Sequence, residues 1–213
     1  MAHETDEEKE RVETLSVFAT SLAAVITAWS AFEAATWSGR QTFALALAEK
    51  KRQLSAQAQL EGDQQMHLDA NLFVAWAGAY SDHRESFATF LYDRFPPRLR
   101  TATDAWLATH PRENKDAPLH PFVMPEYRVE AHQRAAALAR ESDEAIDVAQ
   151  KANTKSDTYV LGTVVFASII LLASLGPRLH QPATRKAMIT LSAVALLLAI
   201  AWLATMPIAW VGA

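Results

Sequence analysis

Three apolar runs constrain this chain more than any other feature: residues 15–37, 158–176 and 187–210. Each is about long enough to cross the hydrocarbon core of a bilayer as one helix. The first carries a single charged residue, Glu33, and the other two carry no acid or base. The mean hydropathy is close to zero only because the remaining charges crowd into residues 38–157, which hold 15 Lys and Arg against 17 Asp and Glu. That near balance lacks the basic face that a nucleic-acid partner needs, so none is expected. With no cysteine in the chain, disulfides, thiolate metal sites and thiol catalysis are excluded. The predicted fold class is all-α: an integral membrane protein with three transmembrane helices and a long extramembrane antiparallel helical hairpin between the first two.

Residues 1–14 form an acidic tail. A secretory signal has a basic start, a shorter apolar core and a small-residue cleavage site, so the first run reads as a retained anchor. Within it Ala24, Ala28, Ala31 and Ala35 share one helix face, which lets another helix approach closely, and Thr20, Thr27 and Ser30 offer hydroxyls to such a contact. Trp29 and Trp37 lie four residues before and after Glu33, with Trp37 expected at the membrane interface. Two readings of Glu33 stand. In one it reaches the headgroup layer or pairs with Arg40; in the other it is an intramembrane carboxylate lining a pore. Thr27, Ser30, Glu33 and Arg40 are therefore the candidate pore or interface residues, and Trp37, Trp202 and Trp210 the candidate membrane anchors.

No proline occurs between Ser38 and Pro96. The spacing predicts that the first helix continues outward through residues 41–72, with a bend at Gly62, and keeps its period through the aromatic stretch 72–95. Pro96-Pro97 is expected to stop it. Residues 96–125 read as a proline-rich cap with a short helix around 105–108, serving either as a recognition surface or as an inert cover. The return helix is expected over 126–157. Its Ala131, Ala135, Leu138, Ser142, Ala145, Ala149 and Ala152 alternate in steps of 4 and 3, forming a narrow coiled-coil seam of alanine against the outward helix. The loop 177–186 holds Arg178, Arg185 and Lys186 and no acid, which argues for the cytoplasmic side. The amino terminus is then cytoplasmic and residues 38–157 periplasmic or extracellular. Lys50, Lys51 and Arg52 after the first run oppose that orientation. Pro207 is expected to kink or loosen the end of the third span, ahead of the short tail 211–213.

Several phrases resemble a family of small, uncharacterised bacterial three-span inner-membrane proteins. They are Ala28-Trp29-Ser30-Ala31-Phe32, Trp37-Ser38-Gly39-Arg40-Gln41, Ala105-Trp106-Leu107-Ala108-Thr109, Pro121-Phe122-Val123-Met124-Pro125-Glu126-Tyr127 and Ser156-Asp157-Thr158-Tyr159-Val160-Leu161. The resemblance covers nearly the whole chain and implies an inner-membrane location. It implies no activity, so it lends no residue a role.

No phosphate-cradling glycine loop, zinc helix or nucleophile elbow is present. Asp63 and His67 are one turn apart and His132 could approach them, but such pairs are more often solvated surface than metal ligands. No enzyme and no cofactor is expected. The expected partners are the lipid bilayer and either further copies of the chain or another membrane protein. The preferred reading is a self-associating or partner-docking anchored helical protein, and the alternative is an oligomeric ion channel lined by the first span.

Overall fold

The computed structural model describes residues 6–209, so Trp210 and the tail 211–213 lie outside the described residues, as does the start of the acidic tail. The chain is all-helical, with no strand among the described residues, and three of its helices are long and apolar enough to cross a membrane. They are α1 (Asp6–Ser81), α4 (Glu130–Leu175) and α5 (Pro182–Leu203); two shorter helices, α2 (Glu85–Tyr92) and α3 (Pro97–Leu107), lie between α1 and α4. The chain divides into two compact units. The first is Met1–Ala46 with Ala145–Ala213, and the second is Leu47–Glu144, so α1 and α4 each contribute to both.

The first unit is cored by small and aliphatic residues. Ala19, Ala23, Phe166, Ile169, Ala173, Leu196 and Ala199 form one cluster. Two hydroxyls stitch α1 to α4: Ser16 donates to the Ala173 carbonyl at 2.6 Å and Ser156 to the Ala34 carbonyl at 2.9 Å. Alanine-sized neighbours are what bring a hydroxyl within reach of a carbonyl on the facing helix, since a larger side chain would hold the backbones apart.

In the second unit Ser142 donates to the Ala48 carbonyl, Ser55 to the Ala135 carbonyl, and Arg134 reaches Glu61. One residue number rises as the other falls, so α1 and α4 run in opposite directions here. Gly62 makes room for the His132 ring at this contact. A Cβ on it would meet the His132 ring at 2.1 Å, and α1 runs helical through that position instead of breaking. The unit is closed by aromatic packing. Phe73 meets Trp106 and Phe122 edge-on at 5.5 and 5.7 Å, and Trp76 meets Phe95 edge-on at 6.0 Å.

Four helix boundaries differ from the sequence expectation. The first is the end of α1 at Ser81. The Arg84 N–H bonds back to the Ala79 carbonyl and His83 takes φ 56°, the left-handed stop that glycine usually supplies. The second is Pro97, which starts a helix instead of ending one. It occupies the first helical position, where its missing N–H costs nothing and its φ is already helical. Third, α4 begins at Glu130 instead of residue 126, because Tyr127 is drawn into the second unit's core. Fourth, α5 begins five residues before the apolar run, with Pro182 in its first turn, and ends at Leu203, so residues 204–209 are not α-helical.

Candidate functional site

The α1 residues singled out by sequence fall on one stripe, with Ser30, Glu33, Trp37 and Arg40 separated by steps of 3, 4 and 3. Helical spacing therefore brings a carboxylate, an indole and a guanidinium to the same side over about three turns. Ser30 and Glu33 are fully enclosed and Trp37 is nearly so.

Glu33 does not pair directly with Arg40. Its Oε2 accepts the backbone N–H of Ala209 at 2.9 Å, while the Arg40 Nη2 donates to the carbonyl of the same residue. One amino acid of the carboxyl-terminal segment is thus held at both its polar poles, the negative group on the donor and the positive group on the acceptor. Two residues earlier, the Tyr159 hydroxyl donates to the Pro207 carbonyl at 3.2 Å. This site exists because α5 stops early. The N–H groups of Ala204, Thr205 and Met206 still bond back to the carbonyls of Ile200, Trp202 and Leu203, but Pro207 has no N–H and disfavours a helical Met206, so the buried peptide groups from Pro207 onward need other partners. The side chains of α1 and α4 supply them.

Trp37 packs with Ala34, Ala152, Tyr159 and Ala209. Its ring is flanked by two cations, with Lys155 Nζ at 4.0 Å and the Arg40 guanidinium at 4.9 Å from the centroid. The indole is therefore an internal platform for positive charge, and it is Trp29 that is exposed. Three polar atoms on this stripe, Ser30 Oγ, Glu33 Oε1 and Trp37 Nε1, are buried with no hydrogen-bond partner among the described residues. Thr27 turns its hydroxyl back to the Ala23 carbonyl of its own helix at 2.7 Å, so it does not bond across to a neighbour. Gly162 of α4 lies against Ser30, and a Cβ there would sit 3.6 Å from the Ser30 Oγ and 3.8 Å from the Trp202 ring. Trp202 is partly buried at this point.

Sequence reasoning missed the other enclosed carboxylate. Asp69, in the second unit, is fully buried and accepts from Arg98 twice, Nε to Oδ2 at 2.6 Å and Nη2 to Oδ1 at 3.0 Å, and from the Tyr127 hydroxyl at 2.9 Å. Burial first, then the hydrogen bond to Asp69 and its charge, push the Tyr127 phenol well above the ordinary tyrosine range. A signal was present in the sequence: Asp69 stands four residues before Phe73 and seven before Trp76, on the stripe that the aromatics mark as buried. Of the three groups considered for a metal, His132 Nε2 lies 2.9 Å from Asp63 Oδ1 and His67 is exposed.

No family model matches the chain, and no curated protein or solved structure matches it either.

Proposed function

We propose that this chain is a membrane-anchored helical protein that self-associates through its second unit. In this reading residues 15–37 of α1, residues 158–175 of α4 with Gly176 just beyond it, and most of α5 cross a bilayer, and the second unit stands in water. The basic loop 177–186 faces the cytoplasm and residues 38–157 face the opposite side. Bacterial inner membrane is the location that the resemblance implies. The apolar surface of the first unit supports lipid as its solvent, since Val25, Phe32, Leu161, Leu171, Leu197 and Leu198 are all exposed. The non-helical residues 207–209 fit the same reading, because irregular backbone at membrane depth survives only where protein groups satisfy it, as Glu33, Arg40 and Tyr159 do here.

One observation carries self-association. Leu47, Leu54 and Leu68 are exposed, and they stand seven and fourteen residues apart on one face of α1, with Glu61 in the vacant register. A heptad stripe of leucine facing water is an interaction surface in waiting. Native mass spectrometry and crosslinking of the detergent-purified chain test it. The expected result is an oligomer that Leu47→Glu, Leu54→Glu and Leu68→Glu together convert to monomer. A wild-type chain that stays strictly monomeric and captures no partner contradicts the reading. The channel alternative needs Glu33 on an open axis, and this chain encloses Glu33 completely within its own first unit.

A further inference from the structure

The second unit contains an open cleft of about 310 Å³ that neither the anchor nor the leucine stripe uses. Its walls are Trp76, Ala77 and Tyr80 from the end of α1 and Trp106 and Leu107 from the end of α3; its rim is the turn from His110 to Glu113. That volume is at the small end of the range for sites that take organic molecules. We propose that this cleft binds a small aromatic carboxylate, with the ring against the Trp106 side of the wall and the carboxylate on Arg112.

Three features support the assignment. First, the walls are fixed in place. Trp76 and Tyr80 stack at 5.3 Å with 13° between their planes, and the Trp106 Nε1 donates to the Pro118 carbonyl at 2.6 Å. A rigid aromatic wall loses little entropy when a flat ring settles on it, and offset stacking adds about 0.5–1.5 kcal/mol beyond the area covered.

Second, the rim is a built turn. His110 sits at φ 53°, left-handed for a residue with a side chain, and its carbonyl accepts from both the Glu113 and Asn114 N–H groups at 2.9 Å. Thr109 and Asn114 brace the same turn: the Thr109 hydroxyl donates to the Trp106 carbonyl at 2.7 Å, and Asn114 Oδ1 accepts from the Asp116 N–H at 3.0 Å. Held strain of this kind sets the direction in which a turn presents its side chains.

Third, the turn presents a cation at the aromatic wall. The Arg112 guanidinium lies 4.5 Å from the Tyr80 ring centroid. Stacked there, its planar fork still has N–H donors for a carboxylate, which is the geometry that a point-charge lysine lacks. Glu113 is exposed on the same rim and sets the competing sign, so the charge preference is itself testable.

The probes are indole-3-acetate and tryptamine, which share a ring and differ in charge. Each is titrated by saturation-transfer NMR against the full chain in nanodiscs of zwitterionic lipid, with empty nanodiscs subtracted. Indole-3-acetate is expected to bind saturably and at least tenfold more tightly than tryptamine. Arg112→Gln, on the exposed rim, is expected to weaken it at least tenfold, and Leu107→Trp, which fills the cleft, to abolish it. Arg134→Gln, outside this cleft, is expected to change nothing. Circular dichroism checks that each variant retains its helix. Absence of saturable binding to the wild-type chain overturns the proposal, as does binding that survives both cleft substitutions. Tryptamine binding as tightly as indole-3-acetate overturns the assignment of a carboxylate.

Discussion

Asp69 in the second unit accepts three hydrogen bonds from the side chains of Arg98 and Tyr127, whereas Glu33 in the first accepts one, from the backbone N–H of Ala209. Both carboxylates are fully enclosed. The aromatic unit spends a bidentate arginine on its acid, which ties α1 to α3 and to the segment before α4. In the small-residue unit the acid serves to hold a stretch of chain that has left its helix. The arginine there, Arg40, bonds the carbonyl of that same stretch and stacks against Trp37. Similar buried charges thus do different work: one is itself the object being stabilised, and the other is a tool for stabilising backbone.

The largest effect expected from this contrast is at Arg98. Arg98→Ala strands Asp69 with only the Tyr127 hydroxyl, and because the Arg98 side chain is itself 28% exposed the loss should be about 3 kcal/mol, toward the low end for a broken buried pair. Chemical denaturation followed by the fluorescence of the second unit's tryptophans measures it, and a loss below about 1 kcal/mol would erase the distinction drawn between the two acids. Next is Glu33. Glu33→Ala leaves the Ala209 N–H unpaired and should cost about 2 kcal/mol, seen as faster amide exchange and easier proteolysis after Leu203; Glu33→Gln keeps an acceptor oxygen and should lose much less. Equal effects of the two substitutions would show that the negative charge, and not the hydrogen bond, is what matters. The smallest effect is at Gly62. Gly62→Ala should cost about 1 kcal/mol by driving the His132 ring off Asp63, yet in a His132→Ala background the same change should stabilise by about 0.5–1 kcal/mol, because alanine is the better helix former.

Much of the frame was legible because it rests on periodicity and on proline-free length. The alanines at 131, 135, 145, 149 and 152 are buried as their spacing indicates, and three helices have the length and apolarity to span. The misplaced boundaries have separate physical causes. His83 ends α1 in a conformation that sequence signals assign to glycine, and Pro97 opens a helix because it falls at the one position where proline is favourable. The Glu33 site was half legible. Spacing put Glu33, Trp37 and Arg40 on one face, but their partner is the backbone of Ala209, and a backbone group leaves no trace in residue identity. The enclosure of Asp69 was readable from its place on the aromatic stripe, while Arg98 and Tyr127 came from segments whose fold local pattern did not give.

The account depends on hydrocarbon being the solvent of the first unit's exposed apolar surface. The cysteine-free chain permits a direct measurement, since any introduced cysteine reports alone. Val25→Cys and Leu197→Cys, both on exposed positions of that unit, and Gln57→Cys, on an exposed position of the second, are reconstituted and treated with a membrane-impermeant maleimide. The account predicts that Gln57→Cys reacts with the reagent on its side of the bilayer while Val25→Cys and Leu197→Cys stay unlabelled until detergent and denaturant are added. Labelling of Val25→Cys and Leu197→Cys in intact vesicles as fast as Gln57→Cys would contradict it.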